Sequence, residues 1–175
     1  MMKRLISYVL ALFPALSYAQ SAQFDSTTVR SLDLNRYLGK WYEIARFDHS
    51  FERGMENVTA EYSLRDDGMV EVLNSGWKNG KPKKAVGKAR QPDPKGDPAH
   101  LEVSFFLFFY SDYNVLMIDD LYQVALVGSS SPGYLWILSR TPKISNIVKA
   151  SVLDEAKKRG YDISALIWVG QDKNM

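Results

Sequence analysis

The chain has 175 residues, enough for one domain with a sizeable core, and it contains no cysteine. That excludes disulfides, a thiol nucleophile, a thiolate metal site and a lipid carried on cysteine, and two histidines far apart, His49 and His100, argue against a histidine-rich metal site. Of 22 Lys and Arg against 20 Asp and Glu, Lys3 and Arg4 lie in a leader, so the remainder nets zero and has no basic excess for nucleic acid or anionic lipid.

In chain order, Lys3 and Arg4 precede an apolar run from Leu5 to Leu16, and Ser17-Tyr18-Ala19 offers small residues at a cleavage site. This predicts a secretory signal peptide over 1–19. The alternative, a membrane anchor, falls short: the run holds 12 residues and is broken by Pro14, against the roughly 20 needed to span a bilayer. Residues 20–31 are expected to be a flexible N-terminal segment, and 32–175 one domain.

The body reads as strands. "GKWYEIARF" (39–47) opens the series, and "NVTAEYSLR" (57–65) alternates, with Val58, Ala60, Tyr62 and Leu64 on one face. "DDG" (66–68) is a turn, "MVEVLNSGW" (69–77) a strand, "KNG" (78–80) a hairpin turn and "KKAVGKARQ" (83–91) a weak strand carrying Gly87. The lysine-rich stretch 78–90 reads as a solvated strand and turn rather than a binding patch. After the loop 92–98, the segments 100–106, 112–119, 122–129 and 134–140 complete eight strands. From Ser145 to Arg159, Ile147, Val148, Val152 and Ala156 follow helical spacing, extended backwards by Ile144, with Ser145 to cap the start and Gly160 the end. A final short strand is expected at 165–169.

Eight strands joined mostly by turns predict an all-β fold: an eight-stranded antiparallel up-and-down β-barrel, whose closure removes exposed edges, with the C-terminal helix packed outside. A β-sandwich with Greek-key links is the competing arrangement. In the barrel, the links at 66–68, 92–98, 120–121 and 141 share one end, the base, and those at 48–56, 78–82, 107–111 and 129–133 share the mouth. Trp41, Asp119, Asp120 and Arg140 are thereby gathered at the base. Gly39 lets the backbone turn into the barrel, Trp41 plugs it, and Arg140 is expected across the indole, a contact worth roughly 0.5–2 kcal/mol.

"GKW" with "YEIARF", then "DDLY", then "YLWILSR" resemble the three signature regions of the lipocalins, and the longer strings "YLGKWYEIARFDHSFERG" and "VSFFLFFYSDYNV" are similar to the bacterial members. The resemblance runs from about Leu32 to Val169. It implies a hollow barrel that binds fatty acids or lysophospholipids in membrane maintenance under stress, no cofactor, a periplasmic place at the outer membrane, and a homodimer in some members. It adds Tyr122 to a base cluster of Gly39, Trp41, Asp120 and Arg140. The missing lipid-bearing cysteine is a departure that bears on the anchor and not on the fold.

If Trp41 points inward, strand alternation places Glu43, Ala45 and Phe47 inward too, and Val58, Ala60, Tyr62, Leu101, Val103, Phe105, Tyr113 and Val115 are the inward candidates elsewhere. Singly each reads as core; as a set in a lipocalin barrel they read as the ligand-binding wall. Burying about 15 methylenes at about 0.8 kcal/mol each yields about 12 kcal/mol, against an association cost of about 4–15 kcal/mol. An inward Glu43 needs a partner or water. If charged, it disfavours a carboxylate deep inside, so the acyl tail enters first and the head group stays near the mouth.

"FFLFFY" (105–110) is either a strand end buried by neighbours or an exposed patch for acyl-chain access, membrane contact or dimerisation, which Phe51 and Met55 would join. His49, Glu52 and Arg53 are read as solvated loop residues, with phosphate or carboxylate contact the alternative. Catalysis is the rival class. The pairs Asp66–Asp67 and Asp119–Asp120 fall at base turns, and no nucleophile elbow or triad spacing is present, so the chain reads as a non-enzyme. A carrier of a retinoid or haem, with His49 as the one haem ligand near the mouth, is the remaining alternative.

Overall fold

In the computed structural model, which describes residues 24–174, the strands are β1 (Gly39–Arg46), β2 (Met55–Leu64), β3 (Val70–Lys78), β4 (Lys81–Arg90), β5 (His100–Phe106), β6 (Phe109–Ile118), β7 (Val124–Gly128) and β8 (Leu135–Ser139). Each pairs antiparallel with the next, and β1 pairs with both β8 and β2, which closes the ring. The fold is the eight-stranded up-and-down barrel and not the sandwich. The expected signal peptide at 1–19 lies outside the described residues.

One short element escaped the sequence reading. Helix α1 (Leu34–Tyr37) is one turn, started by Asp33, whose carboxylate accepts from the Asn35 and Arg36 amides. It leads into the base. The final short strand expected at 165–169 is present as β9 (Ile167–Trp168), two residues paired to β1 outside the ring after a 3-10 turn at Ile163–Ala165.

Helix α2 (Asn146–Lys158) starts where Ser145 accepts from the Val148 amide. Val152 and Ala156 are buried against Leu116, Leu126, Leu135 and Ile137 on the outer barrel face, with Ile144 and Val148 at the margin. Ile147, expected in the apolar stripe, is 84% exposed. Val148, Val152 and Ala156 are spaced by four and share one face, whereas Ile147 lies five residues from Val152, about 140° round the helix, and points to solvent.

The segment expected to be flexible is held from Phe24 onward. The Asp25 amide donates to the Arg159 carbonyl at 2.9 Å and the Val29 amide to that of Val115 at 2.9 Å. Arg159 returns hydrogen bonds to the carbonyls of Thr27 and Leu116, tying this segment, α2 and β6 together.

Two apolar clusters divide the molecule. One fills the lower interior around Trp41, Tyr62, Val70, Val72, Leu101, Val115 and Val127. The other lies between the barrel wall and α2.

Candidate functional site: the barrel interior

The closed end is a polar lock over an indole. Gly39 has φ +91°, and a Cβ there would lie 3.4 Å from Arg140. The Arg140 guanidinium sits 3.8 Å from the Trp41 ring centroid. It donates to the carbonyls of Arg36, Tyr37, Leu38, Lys40 and Tyr122, so one side chain serves four carbonyls of the α1–β1 corner and one of the β6–β7 turn. The Trp41 indole donates to the Tyr37 carbonyl at 2.8 Å. Tyr122 receives the Asp33 amide on its hydroxyl and carries the Arg36 guanidinium 4.1 Å above its ring. Asp120 contributes its backbone carbonyl, to Arg36, rather than its carboxylate. Asp119 instead shapes the turn, accepting from the Gln123 and Val124 amides at 2.6 Å each.

Above this lock three tyrosines share one hydroxyl chain. Tyr113 meets Tyr37 at 2.6 Å and Tyr62 at 2.9 Å. Burial pushes Tyr62 up to about 12 and the other two well above the ordinary phenol value, so all three stay neutral.

Residues paired across neighbouring antiparallel strands share a face, so the inward set follows from the ladder. Trp41 pairs with Ala60, Ala60 with Asn74, and Asn74 with Ala85. Leu101 pairs with Tyr113, Ala89 with Val103, and Val115 with Val127. Val58 lies beside Gly76, and Phe105 against Gly87, where a Cβ would approach its ring to 2.8 Å. A side chain at 87 would therefore displace Phe105 from the inner wall. Tyr62, Leu101 and Val115 are buried in the packed floor, whereas Ala60, Asn74, Val103, Phe105, Tyr113 and Trp136 retain solvent exposure. These inward residues that water still touches line the upper part of the interior.

Two predicted wall residues are not there. Ala45 and Phe47 pack outside, in the cluster with α2. The cause is a β-bulge: Glu43 pairs with Leu138 but Ala45 with Ile137, so one extra residue is accommodated and the alternation flips. Glu43 stays inward, Ile44 and Ala45 both turn to the outer cluster, and Arg46 turns in, opposite Trp136.

That flip supplies the partner that Glu43 needs. Arg46, 2% exposed, donates to Glu43 Oε1 at 2.5 Å and to the carbonyls of Glu52 and Met55 at 2.9 and 3.2 Å. Its Nε is 4.0 Å from Glu52 Oε2, which accepts from the Trp136 indole at 3.1 Å. Two buried carboxyls thus share one guanidinium. Burial, with the neighbouring Glu52 adding to it, raises Glu43 to about 8; burial also raises Glu52. The pair keeps a proton at neutral pH, so the cluster is close to neutral overall.

The first mouth loop is built over this cluster. His49 and Glu52, expected to be solvated, are both buried. The His49 ring stacks on Tyr134 and Phe51 at centroid distances of 4.6 and 5.3 Å. Burial, with the Arg46 charge, lowers its pKa, so it stays neutral in the stack. Arg53 pairs with Asp48 on the surface at 2.8 Å. The C-terminal tail braces the bulge from outside, with Gln171 donating to the Glu43 and Val58 carbonyls at 2.7 and 2.9 Å. Sequence reading missed Arg46, Trp136 and Gln171. The only available signal was that an inward Glu43 requires a cation within reach.

The family model for the lipocalin-like domain matches residues 32–171, and the chain belongs to the lipocalins. It is 52% identical over 149 residues to the outer membrane lipoprotein Blc of Escherichia coli K12, covering 83% of this chain and 82% of that one. It is 42% identical over 150 residues to temperature-induced lipocalin-1 of Arabidopsis thaliana, covering 81% of each. Among solved structures, insecticyanin from the tobacco hornworm Manduca sexta superposes with TM-score 0.70 at 23% identity, over 84% of this chain and 85% of that one; this likeness concerns the fold alone. The protein is a lipocalin-type binder of small hydrophobes.

Proposed function

We propose that the upper chamber binds a fatty acid or lysophospholipid, and that the protein serves membrane maintenance from the periplasm at the outer membrane. The observation that carries the reading is the contrast within the barrel: a floor sealed by Trp41, Leu101 and Val115, and above it inward apolar residues that remain accessible. The kinship with outer membrane lipoproteins supports the location. The acyl tail enters first. The Glu43–Arg46–Glu52 cluster has no surplus positive charge to hold an anionic head group, which therefore stays at the mouth.

Ala60→Trp tests this. The new indole faces the chamber beside Trp41 and removes space for several methylenes. Affinity for a fluorescent fatty acid should fall about tenfold or more, and urea unfolding of the same sample checks that the barrel is folded, since a bulky side chain beside the buried Trp41 costs about 1–3 kcal/mol. Unchanged affinity in a folded variant would place the ligand elsewhere.

A further inference from the structure

The rim of the barrel is chemically polarised in a way that cargo binding does not use. The β5–β6 hairpin ends in Phe106, Leu107, Phe108 and Phe109, which are 68, 59, 83 and 73% exposed. Leu107 takes φ +50°, a region that two-residue hairpins normally give to glycine. A strained, bulky apolar apex in solvent is costly on two counts, which points to an environment other than water. Phe51, 64% exposed, stands on the first mouth loop.

Between these two apolar points lies the β3–β4 hairpin. From Trp77 to Gln91 it carries Lys78, Lys81, Lys83, Lys84, Lys88 and Arg90, and no acid. Among the described residues the five lysines form no ion pair, and only Arg90 is matched, by Glu102 at 2.6 Å. Lys88 and Arg90 lie 5.7 and 4.3 Å from the Tyr110 ring, joining the basic hairpin to the aromatic one. Of the acids in the first mouth link, Asp48 is paired with Arg53, Glu52 is buried, and Glu56, opposite Trp77, is the one exposed acid beside these six cations. The base turns carry Asp66, Asp67, Asp93, Asp97, Asp119 and Asp120 interleaved with Arg65, Lys95, Arg140 and Lys143, so charges of both signs are mixed there.

We infer that the mouth docks on an anionic phospholipid bilayer, with the 106–109 apex inserted among the acyl chains and the lysines of the β3–β4 hairpin on the head groups. Apolar insertion flanked by cations is how a surface binds the interface of a charged membrane. The base then faces away, and the chamber opens toward the lipid. With no cysteine in these 175 residues, no thiol-linked lipid of theirs provides that contact.

The absence of cysteine also makes the test clean. Phe108→Cys and, separately, Asp67→Cys are labelled with a polarity-sensitive fluorophore and titrated with vesicles of phosphatidylethanolamine and phosphatidylglycerol (7:3) or of phosphatidylcholine alone. The label at 108 should shift to the blue on the anionic vesicles and the label at 67 should not. Adding Lys83→Glu and Lys84→Glu to the 108-labelled protein should weaken binding at low salt by about tenfold or more, and adding Phe106→Ser and Phe109→Ser should abolish the shift. Fatty-acid binding by the same samples reports separately on folding and on the cargo reading. No shift at 108, equal shifts at 67 and 108, or equal shifts on both vesicle types would overturn the inference. So would a shift that grows with protein concentration alone, which would make the apex an interface between copies.

Discussion

Glu43→Gln tests the polar cluster directly. In the unfolded chain Glu43 titrates near its ordinary value of 4.5, and in the fold it is raised to about 8. The folded state therefore holds more protons between these values, and stability falls as pH rises through that window. One retained proton corresponds to about 1.4 kcal/mol per pH unit, hence at most about 5 kcal/mol across the window. Sharing the proton with Glu52 reduces the part assigned to Glu43, so an effect of about 2–5 kcal/mol is expected. His49 works in the opposite direction: its pKa is lowered, so its contribution rises with pH around its unfolded value. Glutamine keeps the acceptor for Arg46 and leaves Glu52 as the sole carboxylate on the guanidinium. Urea unfolding at pH 5.5 and 8.5 should show the wild type markedly less stable at the higher pH, and Glu43→Gln should lose most of that difference or reverse it. Equal pH dependence in the two proteins would refute the retained proton.

Arg140→Gln removes hydrogen bonds to several of five carbonyls and the indole contact at once, and should lower stability by about 3 kcal/mol in urea unfolding while leaving the chamber lining unchanged. Ile147→Glu should change stability by less than about 0.5 kcal/mol, because the side chain meets only solvent, whereas Val152→Ala should cost about 1–3 kcal/mol in the same assay.

The barrel was legible in the sequence because period-two alternation and turn residues recur down the chain. Helix α2 was legible because Ser145, Val152 and Ala156 combine a cap with a buried stripe. The base followed from Gly39, Trp41 and Arg140, which topology alone brings to one end. The wall was only half legible. Alternation through Tyr42–Phe47 assumes an unbroken ladder, and a bulge leaves no local mark in "YEIARF". That single extra residue moved Ala45 and Phe47 outside and Arg46 inside. The burial of His49 and Glu52 was equally hidden, since it depends on Tyr134 and Trp136, more than 80 residues away. Helix α1 is too short for any periodic signal, and its start rests on Asp33 alone.

Native mass spectrometry of the protein purified under non-denaturing conditions, with identification of whatever it releases, tests the central claim most directly. A fatty acid or lysophospholipid near one per barrel, absent from Ala60→Trp, is the predicted result. A barrel that is empty as isolated and takes up neither lipid when offered would contradict it.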